Sequence, residues 1–299
     1  MNISKWLIKN NINLKNKTVV ITGATGGLGK EICLLLAERG ANIILACRNE
    51  ESSNKLKSDI TTIYPSTQIS FIKLDLSNIE SVNSCIKELK RLGGIDILIN
   101  NAGVYNVPLK TLDSGYNNIF QINFLYTYYL TKQLLPELEK KENSTCITIG
   151  SVAHNYSKID VNDIDFSTRQ KPSKIYGNSK RFLMFSLYEL FKNNSKVKLS
   201  IVHPGVTLTN MTNHYPKCIN WLVKIGIKLF FPRPKKAVLS IILGTSTPTS
   251  YHEWIGPSIF NVWGMPQISK LKTCTPNESK KIYEIAEETY DKILKNQKD

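Results

Sequence analysis

No apolar run in this 299-residue sequence approaches the ~18 to 20 residues of a membrane-spanning helix. The most membrane-like piece, Ile219 to Phe231, is too short and carries Lys224 and Lys228. Met1 to Leu14 lacks the apolar core of a signal peptide, so a cytoplasmic protein is expected. Of the six cysteines (Cys33, Cys47, Cys85, Cys146, Cys218 and Cys274), no two form a C-x-x-C pair. That argues against a zinc site or a thioredoxin-like motif, and no metal is expected. Cys33, Cys47 and Cys146 lie in apolar runs and read as buried thiols of a reducing compartment. There is no linker rich in Pro, Gly or Ser and no repeat at solenoid periods, which leaves one domain over residues 1–299. The charge is lopsided, with 39 Lys+Arg against 24 Asp+Glu and a net +15. No block of five or six like charges concentrates it, so the excess reads as a solvated surface rather than a nucleic-acid face.

What is present is an alternation of short β-branched runs with segments of helical period. Strands are expected at Thr18 to Thr22, Asn42 to Ala46, Ile69 to Leu74, Ile95 to Ile99, Thr145 to Ile149, Val197 to Val202 and Ser258 to Val262. Helices are expected at Gly29 to Arg39, with Gly40 as the stop, and at Glu50 to Ile63. Another opens at Ser77, with Glu80 completing a capping box. Two more segments cross Leu112 to Lys141, and Lys174 to Lys192, Ala237 to Gly244 and Asn277 to Leu294 complete the set. Apart from Asp96, Ile95 to Ile99 is apolar, as a parallel strand buried on both faces largely is. Repeated β-α-β units predict an α/β fold with a doubly wound, Rossmann-type parallel sheet. The less regular stretch 206–235 is an excursion within it.

Thr22-Gly23-Ala24-Thr25-Gly26-Gly27-Leu28-Gly29 sits between the first strand and the first helix. Glycines there let the backbone approach a pyrophosphate, and the helix beyond offers free N–H groups and the positive end of its dipole. Gly23, Thr25, Gly27, Leu28 and Gly29 are therefore dinucleotide-binding candidates. The second strand ends Ala46-Cys47-Arg48, where an NAD site usually carries an acid. The Arg48 guanidinium suits a 2′-phosphate, so NADP(H) is preferred. Glu50 and Glu51 stand close enough to keep NAD(H) in play.

Tyr176 and Lys180 lie four residues apart in an expected helix, hence on one face. A nearby ammonium favours phenolate and brings a phenol toward acid/base work at neutral pH. Together with Asp75-Leu76, Asn100-Asn101-Ala102-Gly103, Asn123, Ser151 and His203-Pro204-Gly205, in that order, the chain resembles the short-chain dehydrogenase/reductase family over nearly its whole length. The resemblance implies a role for each matching position. Asp75 and Leu76 contact adenine. Asn101, Ala102 and Gly103 back the cofactor. Asn123 holds a water leading to Lys180. Ser151 binds the substrate oxygen, and Tyr176 is the acid/base. Lys180 binds the nicotinamide ribose and lowers the Tyr176 pKa. Pro204, Gly205, Val206 and Thr209 border the nicotinamide.

Ser151 and Tyr176 are 25 residues apart, with an insert at Ile159 to Phe166. That spacing, with Ser151-Val152-Ala153-His154 and Ala46-Cys47-Arg48-Asn49, resembles the retinol-dehydrogenase-like branch, which implies a lipophilic carbonyl or alcohol as substrate. His154 then shapes its loop rather than acting as a base. Family members commonly form homo-oligomers. Ile219 to Phe231 fits a substrate lid, a packing or subunit surface, or a peripheral membrane contact. The rival enzymatic reading, an epimerase or dehydratase, fits the 23-27-29 glycine spacing less well. The rival of another class is an NADP(H)-binding sensor or scaffold without catalysis, which retention of Ser151, Tyr176 and Lys180 disfavours.

Overall fold

A computed structural model describes residues 3–169, 171–194, 196–205 and 234–297. Six of the seven expected strands are found near their expected bounds, as β1 (Thr18–Thr22), β2 (Asn42–Cys47), β3 (Ile69–Lys73), β4 (Ile97–Asn100), β5 (Thr145–Ile149) and β6 (Lys198–Val202), while the seventh, β7 (Glu253–Ile259), lies earlier than expected and shares only residues 258–259 with Ser258 to Val262. They form one sheet in the order β3-β2-β1-β4-β5-β6-β7, with every neighbouring pair parallel. The crossover between β3 and β4 places the switch of winding beside β1, where this class of sheet opens a crevice at its strand ends.

Alternation along the strands builds two cores. Val20, Leu98 and Cys146 point to one face, while Val19, Ile21, Ile97, Ile99 and Ile147 point to the other. Each such side chain is fully or nearly fully buried, and each stabilises the fold by roughly 1.5–3 kcal/mol for the larger apolar residues. Helices α2 (Gly27–Glu38) and α3 (Glu50–Ile63) contribute to the second core, and α4 (Ile79–Lys90) to the first.

Several expectations are corrected. Asn78, not Ser77, caps α4, accepting the Ser81 amide at 2.7 Å, and the Ser77 hydroxyl turns back to Asp75. The helical stretch after β4 begins only at α5 (Asn118–Phe120). It passes through one π-turn at Gln121–Leu125 and continues as α6 (Tyr126–Glu139). Helix α7 covers Pro172–Phe191, and two short helices, α8 (Pro234–Ala237) and α9 (Leu239–Gly244), replace one. An eighth strand, β8 (Trp263–Lys270), was not expected; it pairs antiparallel with β7 as the edge of the sheet. Residues 260–262, assigned to a strand, are instead the hairpin turn, with Phe260 and Asn261 both at positive φ. A first helix, α1 (Ile3–Lys9), buries Trp6 and Leu7, and α10 (Pro276–Lys295) closes the described chain. Among the described residues, no helix is long and apolar enough to cross a membrane.

Candidate active site

The loop from β1 to α2 is locked from behind by the end of β4. The buried Thr22 hydroxyl accepts the amides of Asn101 and Ala102 at 3.1 and 3.0 Å. Asn101 returns its side-chain amide to the carbonyls of Thr22 and Gly23, at 2.8 and 3.0 Å. Helix α2 starts at Gly27, two residues earlier than expected, and its cap, Gly26, has no side chain to occupy the first N–H groups. At Gly29 a Cβ would lie 2.5 Å from the Ala24 carbonyl oxygen, so glycine is required by close approach.

These elements border a cleft of about 400 Å³. Gly23, Thr25, Gly27, Leu28 and Gly29 line it, together with Arg48, Asp75, Leu76, Asn101, Ala102 and Gly103. These sequence candidates are thus brought to one place, while Asn123, Ser151, Tyr176 and Lys180 do not line this cleft. A cleft lined by a glycine-rich loop, with an open helix terminus and an exposed arginine, fits a phosphorylated dinucleotide. Asp75 accepts the amide and hydroxyl of Ser77 through one oxygen, Oδ1. Among the described residues, no group of three or more His, Cys, Asp or Glu could hold a metal.

Tyr176 and Lys180 stand on one face of α7, both buried. The Lys180 ammonium lies 5.8 Å from the Tyr176 ring centre and donates to the Ile149 carbonyl at 2.8 Å. Ser151, two residues past the end of β5, neighbours the Tyr176 phenol and favours its ionised form. Asn123 sits in the π-turn before α6, a distortion often found at functional sites. Its side chain accepts the Val104 amide at 2.7 Å and donates to the Val104 carbonyl and the Ser179 hydroxyl. Gly103 brings the groups together: a Cβ there would lie 3.2 Å from Asn123 Oδ1 and 3.7 Å from Lys180 Nζ.

One expectation runs the other way. With protein groups alone around it, Tyr176 is pushed up to about 12, because burial outweighs the Ser151 hydrogen bond and nearby Tyr105 adds to the rise. Burial also brings Lys180 down to about 8. The phenol is therefore held in its protonated form.

Pro204 and Gly205 follow β6 and do not line this cleft. Val206, Thr209, Cys218 and Ile219 to Phe231 lie outside the described residues. Sequence reasoning missed Asn49, Val104, Tyr105, Val107 and Ile122, which line the cleft. Tyr105 packs edge-on against Tyr176, with centroids 5.1 Å apart. The available signal was position: Val104 to Val107 directly follow the Asn101-Ala102-Gly103 turn, so the chain leaving β4 must cross the mouth of the crevice.

Residues 17–218 carry the sequence signature of the short chain dehydrogenases. Human retinol dehydrogenase 13 is 36% identical over 205 residues, which are 67% of this chain and 62% of that protein's own length. Mouse retinol dehydrogenase 12 is 34% identical over 215 residues, 71% and 68% of the two chains. A crystal structure of a protein from Mycobacterium paratuberculosis shares the fold, with a TM-score of 0.74 at 23% identity over 93% of this chain and 95% of its own. The chain belongs to the short chain dehydrogenase family. Within that family it falls in the retinol-dehydrogenase-like branch.

Proposed function

We propose that this protein is an NADP(H)-dependent oxidoreductase that interconverts a lipophilic alcohol and its ketone or aldehyde, with Tyr176 as acid/base. The observation that carries the reading is the cluster of Ser151, Tyr176 and Lys180 next to the cleft. Ser151 favours the ionised Tyr176 phenol, Lys180 stands on the same helix face, and Tyr105, which lines the cleft, packs edge-on against Tyr176. When bound, NADPH supplies hydride to the carbonyl carbon. Ser151 donates a hydrogen bond to the carbonyl oxygen, and Tyr176 delivers its proton there as negative charge develops. A phenol held protonated suits that reducing direction. Lys180 binds the nicotinamide ribose and adds positive charge behind the phenol, while Asn123 orders the path from Lys180 toward solvent.

Arg48 in the cleft lining supports a 2′-phosphate and so NADP(H), with NAD(H) the second choice. Gly23, Thr25, Gly27, Leu28 and Gly29 hold the pyrophosphate, Asp75 and Leu76 the adenine, and Asn101 to Gly103 the nicotinamide side. Pro204, Gly205, Val206 and Thr209 complete that side. A lipophilic substrate is supported by Val104, Val107 and Ile122 along the cleft, and by the apolar Ile219 to Phe231 within the 206–235 lid of a single-domain chain. Retinol dehydrogenases among the relatives agree with it. We further place it as a homo-oligomer in the cytoplasm, where the buried free thiols of the described residues stay reduced.

The test is NADPH oxidation against aldehydes and ketones graded from small and polar to long-chain and polyene. Turnover is expected to rise with chain length. Tyr176→Phe is expected to lower kcat by roughly 10²–10⁴-fold, the usual contribution of a general acid. Full turnover in Tyr176→Phe would overturn the mechanism, and a preference for small polar carbonyls would overturn the substrate class.

A further inference from the structure

The largest fully buried side chain among the described residues is a charged one, Arg181, the residue after Lys180. Its guanidinium grips Glu278 with two bonds, Nε to Oε1 at 2.8 Å and Nη2 to Oε2 at 2.7 Å. It also donates to the carbonyls of His154, at 3.2 Å, and Thr273, at 2.5 Å. A buried ion pair is weak evidence for stability, since an apolar pair of the same volume often does as well. Its partners say what else it does. His154 lies in the short 3-10 turn Val152–Tyr156 that Ser151 caps, and Thr273 and Glu278 flank the start of α10.

His154 is buried between the same two segments. Its Nδ1 lies 2.5 Å from the Ser151 carbonyl and its Nε2 2.7 Å from the Thr273 hydroxyl. A carbonyl can only accept, so Nδ1 carries the proton, and in a neutral ring Nε2 must accept from Thr273. Burial holds the ring neutral, bringing its pKa down to about 4. The Ser151 carbonyl thus takes two bonds from one residue, the His154 backbone amide at 3.1 Å and the ring.

Helix α7 completes the clamp. Lys174, Gly177 and Arg181, at positions i, i+3 and i+7, form one stripe. The Lys174 carbonyl accepts the Ser157 hydroxyl at 2.7 Å. At Gly177 a Cβ would stand 2.2 Å from the Ala153 carbonyl oxygen, so only glycine lets the turn lie this close. Tyr176 and Lys180 occupy a different face of the same helix. One side of α7 carries the phenol, while the stripe beside it sets the turn from which Ser151 reaches that phenol.

We propose that Thr273, His154, Arg181 and Glu278 are positioning residues for Ser151, so that the start of the C-terminal helix sets where Ser151 stands against Tyr176. The relay runs from Thr273 through the His154 ring to the Ser151 carbonyl, with Arg181 and Glu278 holding both ends. This rests on the catalytic reading above.

The test compares Thr273→Val, Thr273→Ser and Arg181→Lys with the parent and Tyr176→Phe. The readouts are NADPH oxidation with the best aldehyde of the graded panel, NADPH binding by fluorescence, and hydrogen exchange of the 152–156 amides. Thr273→Val is expected to lower kcat about tenfold, the worth of one lost hydrogen bond in the relay. KM and NADPH affinity are expected to stay within about twofold, the pattern of lost transition-state positioning. Exchange in the turn should quicken. Thr273→Ser should restore both, and Arg181→Lys, which keeps the charge but loses the fork, should behave like Thr273→Val. Unchanged kcat and unchanged exchange in Thr273→Val would overturn the relay, as would a loss that Thr273→Ser does not repair. A parent without turnover, or Tyr176→Phe with full turnover, strikes the catalytic reading instead, and the exchange measurement then still decides whether Thr273 sets the Ser151 turn.

Discussion

The Lys180 ammonium donates to the carbonyl oxygen of Ile149 at 2.8 Å. This ties the helix that carries Tyr176 to the last residue of the strand that leads to Ser151, through a cation that has been taken out of water. The charge is costly there: burial brings the group from 10.5 to about 8. Between those values the unfolded chain binds a proton that the folded chain has released, so stability increases as pH rises through that window. Lys180→Met should lack this gain. From pH 8 to 10 the unfolding free energy of the parent should climb relative to the variant; Tyr176, held up to about 12, acts with the opposite sign only above that range. Urea titrations across the range check it, and a flat difference would sink the claim that Lys180 is buried as a charge.

Thr22 is the hinge between the glycine loop and the Asn101 turn. Thr22→Val keeps the shape but leaves the Ala102 amide without its acceptor, while the Asn101 amide keeps the Ile99 carbonyl at 3.0 Å. Each unpaired buried donor costs about 1–3 kcal/mol, so a clear loss of Tm and of NADPH affinity is expected. Thr22→Ser should keep most of both. Equal Tm values for valine and parent would show that water replaces the hydroxyl.

Two glycines of the loop, Gly26 and Gly29, should respond differently to alanine. Gly29→Ala drives a methyl into the Ala24 carbonyl, whereas at Gly26 the nearest atom, the Gly23 carbonyl oxygen, is at an ordinary 3.4 Å. Overpacking of this kind costs roughly 1–3 kcal/mol. Thermal unfolding should therefore separate Gly29→Ala from the parent and leave Gly26→Ala close to it. A reversed order would contradict the close packing of α2 against the loop.

Arg48 lines the cleft beside Asp75 and Leu76. If it pairs with a 2′-phosphate, Arg48→Ala should raise the NADPH KM by roughly 10–100-fold, the worth of a charge-assisted hydrogen bond, and leave the NADH KM nearly unchanged. Steady-state kinetics with both cofactors decide this. An unchanged NADPH KM would remove Arg48 from the site.

Much of the sheet was legible because its signal is local. In β4 Ile97 to Ile99 are apolar throughout, and β5 falls where expected residue for residue. The edge strand β8 was not legible. It contains Gly264 and Pro266 and leaves Trp263 and Ile268 partly exposed, so neither alternation nor a buried run marks it. Proline is tolerated there because an edge strand has one unpaired side. The cap of α4 was misplaced by one residue because Ser77 and Asn78 are both good caps, and only the turn at Asp75 decides which faces the helix.

The glycine loop, Arg48 and the pairing of Tyr176 with Lys180 on one helix face were legible in the sequence itself, through glycine placement, strand-end position and a four-residue helical spacing, while Ser151 was marked by the family resemblance. Their electrostatics were not. Whether Lys180 lowers the Tyr176 pKa depends on how far both are taken out of water and on which carbonyl the ammonium faces. Only the tertiary structure decides that. The tie from Thr273 and Glu278 to Ser151 is of the same kind: those residues lie more than a hundred positions from Ser151 in the chain, and no local pattern links them. They meet because α10 starts against the face of α7 beside Tyr176, where a guanidinium can reach three segments at once.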